Sequence, residues 1–302
     1  MLWGFIMMII TGISWGGVGV VVSACSRRST SYKTVQFFIA LQMMLICVVS
    51  FFILPPQINS QLSLWLVLLI GVATGIGNYF TFVLTEKAMK IGPNGLIWSI
   101  MQSSLCGSFI MGILFFGERA SLIRYCGLIA IIAGVIFSGM GKGNDTGKPD
   151  GRNKSWLWIA LAAMLVAMLT QCLNTLPSFL PETAGLGVFF RSFSVQLGTA
   201  VIFSATSMAG TIREHKFFNF WTLVMSWWGV LIACISSFLC FYQGLDILAK
   251  YGCGGSGYPV AIGVCIVAFA AYSMTVLKEK FSRLELTGLT LIVLGITGIS
   301  FG

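Results

Sequence analysis

The side chains that usually carry out catalysis or bind metal ions are scarce in this chain. Its 302 residues include one histidine (His215), nine acidic residues and nine cysteines. The sequence contains no His-Glu-x-x-His segment, no acid-rich metal motif and no Cys-x-x-Cys pair. It therefore predicts neither an enzyme nor a bound metal ion or cofactor.

Polar side chains within long apolar segments are the better candidates for function. Polar groups in a bilayer interior are costly unless they meet a partner or a water-filled cavity. Amides both donate to and accept from the hydroxyls of a solute, and aromatic rings can pack on the apolar faces of a sugar. The candidate substrate-binding residues are Trp15, Gln42, Asn78, Tyr79, Trp98, Gln102, Gln171, Asn174, Tyr242, Gln243 and Tyr258, with Gln196 as a further amide in the middle of a segment.

Each of these residues also has a simpler interpretation. A lone amide can hydrogen-bond a neighbouring helix, and Trp or Tyr can belong to the aromatic belt at the membrane surface. Two pairs favour a cavity more strongly than the rest. Asn78 and Tyr79 put two polar groups within one turn, and Gln171 and Asn174, three residues apart, share a helix face.

Charged candidates are few. No acid lies in the middle of an apolar segment, which argues against a cationic substrate. Glu86 and Asp246, near segment ends, are the candidates for coupling to a proton or cation, although both also fit ordinary charges at the membrane surface. Arg191 would either contact an anionic substrate or extend to that surface.

Ten predicted membrane-spanning helices position these residues. The chain is 57% hydrophobic and 9% charged, with a mean hydropathy of +0.93, which excludes an ordinary soluble enzyme, a disordered chain and a nucleic-acid-binding module. We expect an all-α polytopic membrane protein, monomeric or homodimeric, that binds no nucleic acid. The spans are placed at 3–24, 34–54, 62–84, 95–116, 122–140, 156–176, 187–209, 219–244, 257–277 and 285–301.

Basic residues are distributed unevenly between these spans. Most of the 18 Lys and Arg residues lie in the gaps after the first, third, fifth, seventh and ninth spans. The positive-inside rule then places these gaps in the cytoplasm and both termini outside. The polar segment 141–155 would be a cytoplasmic linker, and the protein a multi-pass protein of a bacterial inner (plasma) membrane.

The chain partly matches itself at a shift of 161 residues. Glu118-Arg119 falls on Glu279-Lys280, and Gly127, Ile131 and Gly134 fall on Gly288, Ile292 and Gly295. The repeats would be residues 1–140 and 156–302, with five spans each. Because five is odd, the second repeat enters the membrane from the opposite side. Such inverted repeats are typical of carriers that work by alternating access around a central site.

The segments FFGERASLIRYCGLIAIIAGVI and VLKEKFSRLELTGLTLIVLGI resemble the ten-helix EamA-type members of the drug/metabolite transporter superfamily, a resemblance that covers nearly the whole chain. It implies a basket of helices around a central cavity, with the fifth and tenth spans at the periphery. It also implies that Glu118 and Glu279 are structural acids at the repeat ends. Gly75-Ile76-Gly77-Asn78 and Leu277-Lys278-Glu279 are similar to the bacterial L-rhamnose–proton symporters, which favours sugar uptake.

These observations predict a secondary transporter of a small polar metabolite, with a neutral sugar such as L-rhamnose as the preferred substrate and a proton or cation as the candidate coupling ion. Export of amino acids or related metabolites is the alternative. A membrane-embedded enzyme would lack its catalytic groups, and a channel would lack a re-entrant filter or a ring of like charges.

Overall fold

The structure is a computed structural model that describes most of the chain. The described residues are 1–28, 30–56, 60–104, 106–107, 110, 113–114, 121–140, 155–179, 186–213, 219–241, 243–244, 247–248 and 254–301. Most of the linker predicted at 141–155, much of the second half of the span predicted at 95–116, and Glu118 lie outside these ranges.

Helices account for nearly all of the described residues. A 3₁₀ turn, Leu176–Phe179, follows the sixth helix, and a π-helical segment, Cys234–Phe241, continues the ninth. The eleven α-helices within the described ranges are α1 (Leu2–Arg27), α2 (Tyr32–Ile53), α3 (Gln61–Ile91), α4 (Asn94–Gln102), α5 (Leu122–Met140), α6 (Ser155–Thr175), α7 (Gly187–Thr206), α8 (Met208–Arg213), α9 (Phe220–Ala233), α10 (Gly254–Thr275) and α11 (Arg283–Phe301).

Six helical segments of the described chain are long and apolar enough to cross a membrane. Large apolar side chains such as Phe52, Leu122 and Trp158 are exposed on the helix surfaces, as expected for side chains in contact with lipid. The structure therefore confirms a helical protein with several membrane-spanning candidates, whereas the full set of ten spans remains a prediction. The six segments are Leu2–Arg27, Tyr32–Ile53, Gln61–Ile91, Ser155–Asn174, Gly187–Thr206 and Phe220–Phe241.

Helix α3 is longer than the span predicted at 62–84. It has 31 residues, which at 1.5 Å per residue makes it about 46 Å long, longer than the ~30 Å hydrocarbon core. In its last turns two of the three charges form an ion pair: Lys90 Nζ lies 2.7 Å from Glu86 Oε1, one turn earlier. The apolar residues between them, Ala88 and Met89, are buried.

Helix ends that flank the basic gaps lie together, at what we call the basic end of the molecule. The backbone N–H of Tyr32, at the start of α2, donates to Glu86 Oε2 near the end of α3 over 3.1 Å. The guanidinium carbon of Arg28 lies 3.9 Å from the ring centroid of Trp221 in α9. Helix ends beside the gaps after α1, α3 and α8 therefore lie together.

Two further contacts bring helix ends beside the remaining basic gaps to the basic end. Glu279, which follows α10, accepts hydrogen bonds from the backbone N–H groups of Asn94 (2.9 Å) and Gly95 (3.1 Å) at the start of α4. Gly92 lies directly against the side chain of Trp156, at the start of α6. All five gaps that the charge distribution assigns to one side are thus flanked by helix ends that meet.

Helices α5 and α11 pack closely through glycines that the internal repeat relates. A Cβ added to Gly134 would lie 2.6 Å from the carbonyl oxygen of Gly288, and one added to Gly295 would lie 2.5 Å from that of Gly127. The 161-residue shift turns the first contact into the second, which is the pattern of a two-fold interface. Gly134 lies opposite Gly288 and the earlier Gly127 lies opposite the later Gly295, so α5 and α11 are antiparallel.

Candidate functional site

A cavity of about 330 Å³ lies between helices from both halves of the chain. Its volume is within the range of sites for small molecules. None of the described side chains that line it comes from α5 or α11, as the resemblance implies for the fifth and tenth spans. Its polar and aromatic lining residues are Trp15, Tyr32, Gln36, Thr74, Asn78, Thr81, Phe82, Trp98, Gln102, Thr170, Gln171, Asn174, Arg191, Ser192, Gln196, Thr199 and Ser236.

Close helix packing on two sides of the cavity depends on glycines. In α1, Gly12 and Gly16 contact α10, and in α3, Gly71 and Gly75 contact α7. The hydroxyl of Thr199 in α7 donates to the Gly75 carbonyl oxygen over 3.1 Å, across that second contact. These glycine pairs serve helix contacts within the chain, because small residues let helix backbones approach closely.

Polar residues of α3 form a stripe along the cavity wall. Thr74, Asn78 and Thr81 are spaced by four and three residues and all line the cavity, because that spacing keeps side chains on one helix face. Gln171 and Asn174 in α6 also line it together, as their three-residue spacing predicts. Gln171 Nε2 donates to Ser104 Oγ over 2.8 Å, which fixes one amide of the wall.

Trp98 and Gln102 are held in the wall by a buried thiol. Trp98 Nε1 lies 3.3 Å and Gln102 Nε2 3.0 Å from Cys265 Sγ of α10, and both donate to it. Cys265 is fully buried. It therefore does more than fill space, because it accepts two hydrogen bonds and orients two of the predicted binding residues.

Toward the basic end the cavity is closed by aromatic side chains. Tyr32 and Trp98 are buried, and both pack on Phe82, with ring centroids 5.4 and 6.5 Å away. Trp98 in turn packs on Phe269 of α10 at 5.3 Å. We call this the sealed end of the cavity.

The opposite end of the cavity is more accessible. Asn174 is exposed, and Arg191, Ser192 and Gln196 are partly exposed. Among the described lining residues, Arg191 is the only one with a charged side chain, and none is acidic. The structure thus places Arg191 in the cavity wall, where a positive charge favours an anionic group of a ligand.

Three predicted binding residues are not among those that line the cavity. Gln42 Nε2 instead donates to Ser226 Oγ (3.1 Å) and to a backbone carbonyl within α2. Tyr79 is buried against Phe203, and its hydroxyl lies 2.7 Å from Ser207 Oγ. Gln243 is exposed. The first two match the simpler interpretation, in which a polar group joins neighbouring helices.

Three other predicted residues have no described side chain. Tyr242 and Asp246 lie outside the described residues, and for Tyr258 only the helical backbone of α10 is described. Their roles stay predictions.

Glu86, the other coupling candidate, is buried beyond the sealed end. It is 3% exposed, and its carboxylate pairs with Lys90 and accepts the N–H of Tyr32. It does not line the cavity, although Tyr32 does. Its hydrogen bond with Tyr32 joins Glu86 to a residue of the cavity wall.

Several polar lining residues, among them Gln36 and Thr81, were not among the sequence candidates. Both are buried in the cavity wall. Thr81 could have been found from the spacing of the polar stripe on α3. Gln36 could not be told from Gln42, since both are amides inside the same apolar helix.

Residues 2–140, which include α1 to α5, match the EamA-like transporter family. No curated protein matches the chain. This family match indicates a membrane transporter. Residues 2–140 are therefore an EamA-like transporter domain of the drug/metabolite transporter superfamily, within a membrane protein that has several apolar helices.

Proposed function

We propose that this protein is a secondary transporter that moves a small polar metabolite by alternating access through the cavity. The observation that carries the proposal is a polar cavity of about 330 Å³ between helices of both halves. It is sealed by aromatic residues at one end and accessible at the other. A carrier needs such a site, closed to one side of the membrane while it is open to the other.

The proposed mechanism rests on two inverted five-helix repeats that rock against each other. The antiparallel, two-fold contact between α5 and α11 supports this arrangement. The meeting of helix ends that flank the five basic gaps also supports it, because helices that alternate in direction bring every second gap to the same side. We further propose that the basic end is cytoplasmic in a bacterial inner membrane, with both termini outside. The accessible end of the cavity then faces outward.

A neutral sugar such as L-rhamnose is the preferred substrate in this proposal. Amides on three helices, Asn78, Gln102 and Gln171, line the cavity together with Trp15 and Trp98. Amides suit hydroxyl groups, and flat rings suit the apolar faces of a sugar ring. The absence of an acid from the described lining residues argues against a cationic substrate.

Export of an amino acid or related metabolite is the second candidate, and Arg191 favours it. A guanidinium in the cavity wall can bind a carboxylate through two parallel hydrogen bonds. Arg191→Gln separates the candidates. It should weaken transport of a carboxylate-bearing solute by at least tenfold and leave a neutral sugar nearly unchanged.

Counterflow in proteoliposomes tests the proposed function. Purified protein is reconstituted into vesicles loaded with unlabelled L-rhamnose or L-serine, and entry of the same labelled solute is measured against empty vesicles. The proposal predicts saturable exchange of at least one solute in this panel or in a wider set of sugars and amino acids. Absence of saturable exchange for every solute would contradict it.

A further inference from the structure

Two buried oxygens at the sealed end of the cavity lack hydrogen-bond partners. They are Oε1 of Gln36 and Oγ1 of Thr81. Both residues line the cavity, and their side chains are almost fully enclosed, with residue exposures of 7% and 3%. A buried polar atom without a partner is costly, so such atoms in a native protein call for an explanation.

The two residues lie at a similar depth in the wall. The hydrogen bond from Tyr32 to Glu86 joins the start of α2 to the end of α3. Gln36 lies four residues from Tyr32 and Thr81 five residues from Glu86, so each is about 6 to 8 Å inward from that contact. The rings of Tyr32 and Phe82, whose centroids are 5.4 Å apart, cover Gln36 and Thr81 on the side that faces the basic end.

Neighbouring threonines show that the free oxygen of Thr81 is unusual for its helix. The hydroxyl of Thr74, which lines the same cavity, donates to the Ile70 carbonyl over 2.8 Å. The hydroxyl of Thr85 likewise donates to the Thr81 carbonyl over 2.8 Å. Threonines within helices commonly satisfy their hydroxyls in this way. The Thr81 hydroxyl oxygen has no such partner.

We propose that Gln36 and Thr81 form a subsite at the sealed end that accepts hydrogen bonds from hydroxyl groups of the transported solute. This inference rests on the proposed function. The amide oxygen of Gln36 is an acceptor, and the Thr81 hydroxyl can accept while it donates onward. No charged side chain is among the described residues that line this end, so the uncharged hydroxyl fits better than an ammonium group. A solute that enters from the accessible end would bind with its hydroxyl-bearing end innermost.

The test measures binding by Thr81→Val, Thr81→Ser and Gln36→Leu variants. The probes are L-rhamnose, myo-inositol and L-lactate, with propionate as the counterpart of L-lactate that lacks its hydroxyl. Binding is measured by calorimetry and by the thermal shift of the purified protein. Thr85→Val is the matched control, because Thr85 lies one turn further along the same helix, is not among the lining residues, and has its hydroxyl already bonded to the Thr81 carbonyl.

The subsite predicts that Thr81→Val and Gln36→Leu each weaken binding of a hydroxyl-bearing probe about tenfold, the effect of one lost hydrogen bond. Thr81→Ser should restore affinity, and the control Thr85→Val should stay within about twofold of the wild type. Any binding of propionate should not change in Thr81→Val. Since neither oxygen bonds to the protein, the ligand-free melting temperature of Thr81→Val should equal or exceed that of the wild type.

Two results would overturn the subsite in different ways. Wild-type affinity in both Thr81→Val and Gln36→Leu would mean that cavity water alone meets these oxygens, and would leave the proposed function intact. Failure of the wild type to bind or exchange any of the probes, sugars and amino acids would remove the proposed function and the subsite together.

Discussion

Alanine substitutions in the interface between α5 and α11 test the two-fold relation between the halves. A Cβ at position 134 would lie 2.6 Å from the Gly288 carbonyl oxygen, and ordinary contact begins at 3.4 Å. Gly134→Ala therefore requires α5 and α11 to separate locally by about 0.8 Å. Overpacking of this kind costs about 1–3 kcal/mol, and the better helix propensity of alanine returns up to about 1 kcal/mol. We expect a net destabilisation of about 1–2 kcal/mol.

The two-fold relation makes a sharper prediction for the equivalent residue in the second half. A Cβ added at position 295 would lie 2.5 Å from the Gly127 carbonyl oxygen. The loss of unfolding free energy in Gly295→Ala should therefore equal that in Gly134→Ala within about 0.5 kcal/mol. Gly263→Ala in α10 is the control. Its nearest neighbour, Ile296, would be 3.9 Å away, so it should be neutral or stabilising by up to about 1 kcal/mol.

Equilibrium unfolding of the purified variants in mixed micelles, followed by circular dichroism, measures these differences. If Gly134→Ala is as stable as Gly263→Ala, the close approach of α5 and α11 is wrong. If Gly134→Ala and Gly295→Ala differ by more than about 1 kcal/mol, the two contacts are not equivalent and the repeat loses its best structural support.

Two acids at the basic end give further predictions. Glu279→Gln weakens the charge-assisted hydrogen bonds at the start of α4 and should lower the free energy of unfolding by about 2 kcal/mol. Lys280→Gln, at an exposed position, is the control and should not change it. Equal stability of the two variants would refute this capping role. Glu86→Gln removes the ion pair with Lys90. If Glu86 couples transport to protons, this variant should lose pH-driven accumulation of the solute in proteoliposomes but keep counterflow. Full accumulation would eliminate Glu86 as the coupling group.

Helix positions were predictable from the sequence because apolar length and charge placement are local properties. The observed bounds of α2 and α6, Tyr32–Ile53 and Ser155–Thr175, lie within two residues of the predicted spans. The span predicted at 62–84 ended before the charged residues, because charges mark the end of an apolar segment. The helix itself continues through them to Ile91, and Glu86 and Lys90 form a pair within one helical turn.

The cavity was predictable only in part, because helix rotation decides which polar residues face it. Asn78 lines the cavity, while its neighbour Tyr79 turns to Ser207 and the core beside α7. Adjacent residues of a helix point about 100° apart, and the sequence does not show which of the two faces inward. The same ambiguity separates Gln36, which lines the cavity, from Gln42, which bonds to another helix.

Glu279 illustrates a role that the family resemblance implied and the structure explains. Its carboxylate accepts hydrogen bonds from the first turn of α4 and from the Ser273 hydroxyl, and it does not line the cavity. The preceding residue, Lys278, adopts a left-handed conformation (φ 56°), uncommon outside glycine. It lies in the turn between α10 and α11, immediately before the carboxylate that bonds to α4. Sequence alone could not supply the partner helix, which lies 184 residues earlier in the chain.

Counterflow by a matched pair of amide variants tests most directly whether the cavity is the transport site. Asn78 lines the cavity and Gln42 lies outside it, although both are amides within apolar helices. The proposal predicts that Asn78→Ala lowers the rate of saturable exchange at least tenfold, while Gln42→Ala retains it within about threefold. Equal rates in the two variants, or loss of exchange only in Gln42→Ala, would contradict transport through this cavity.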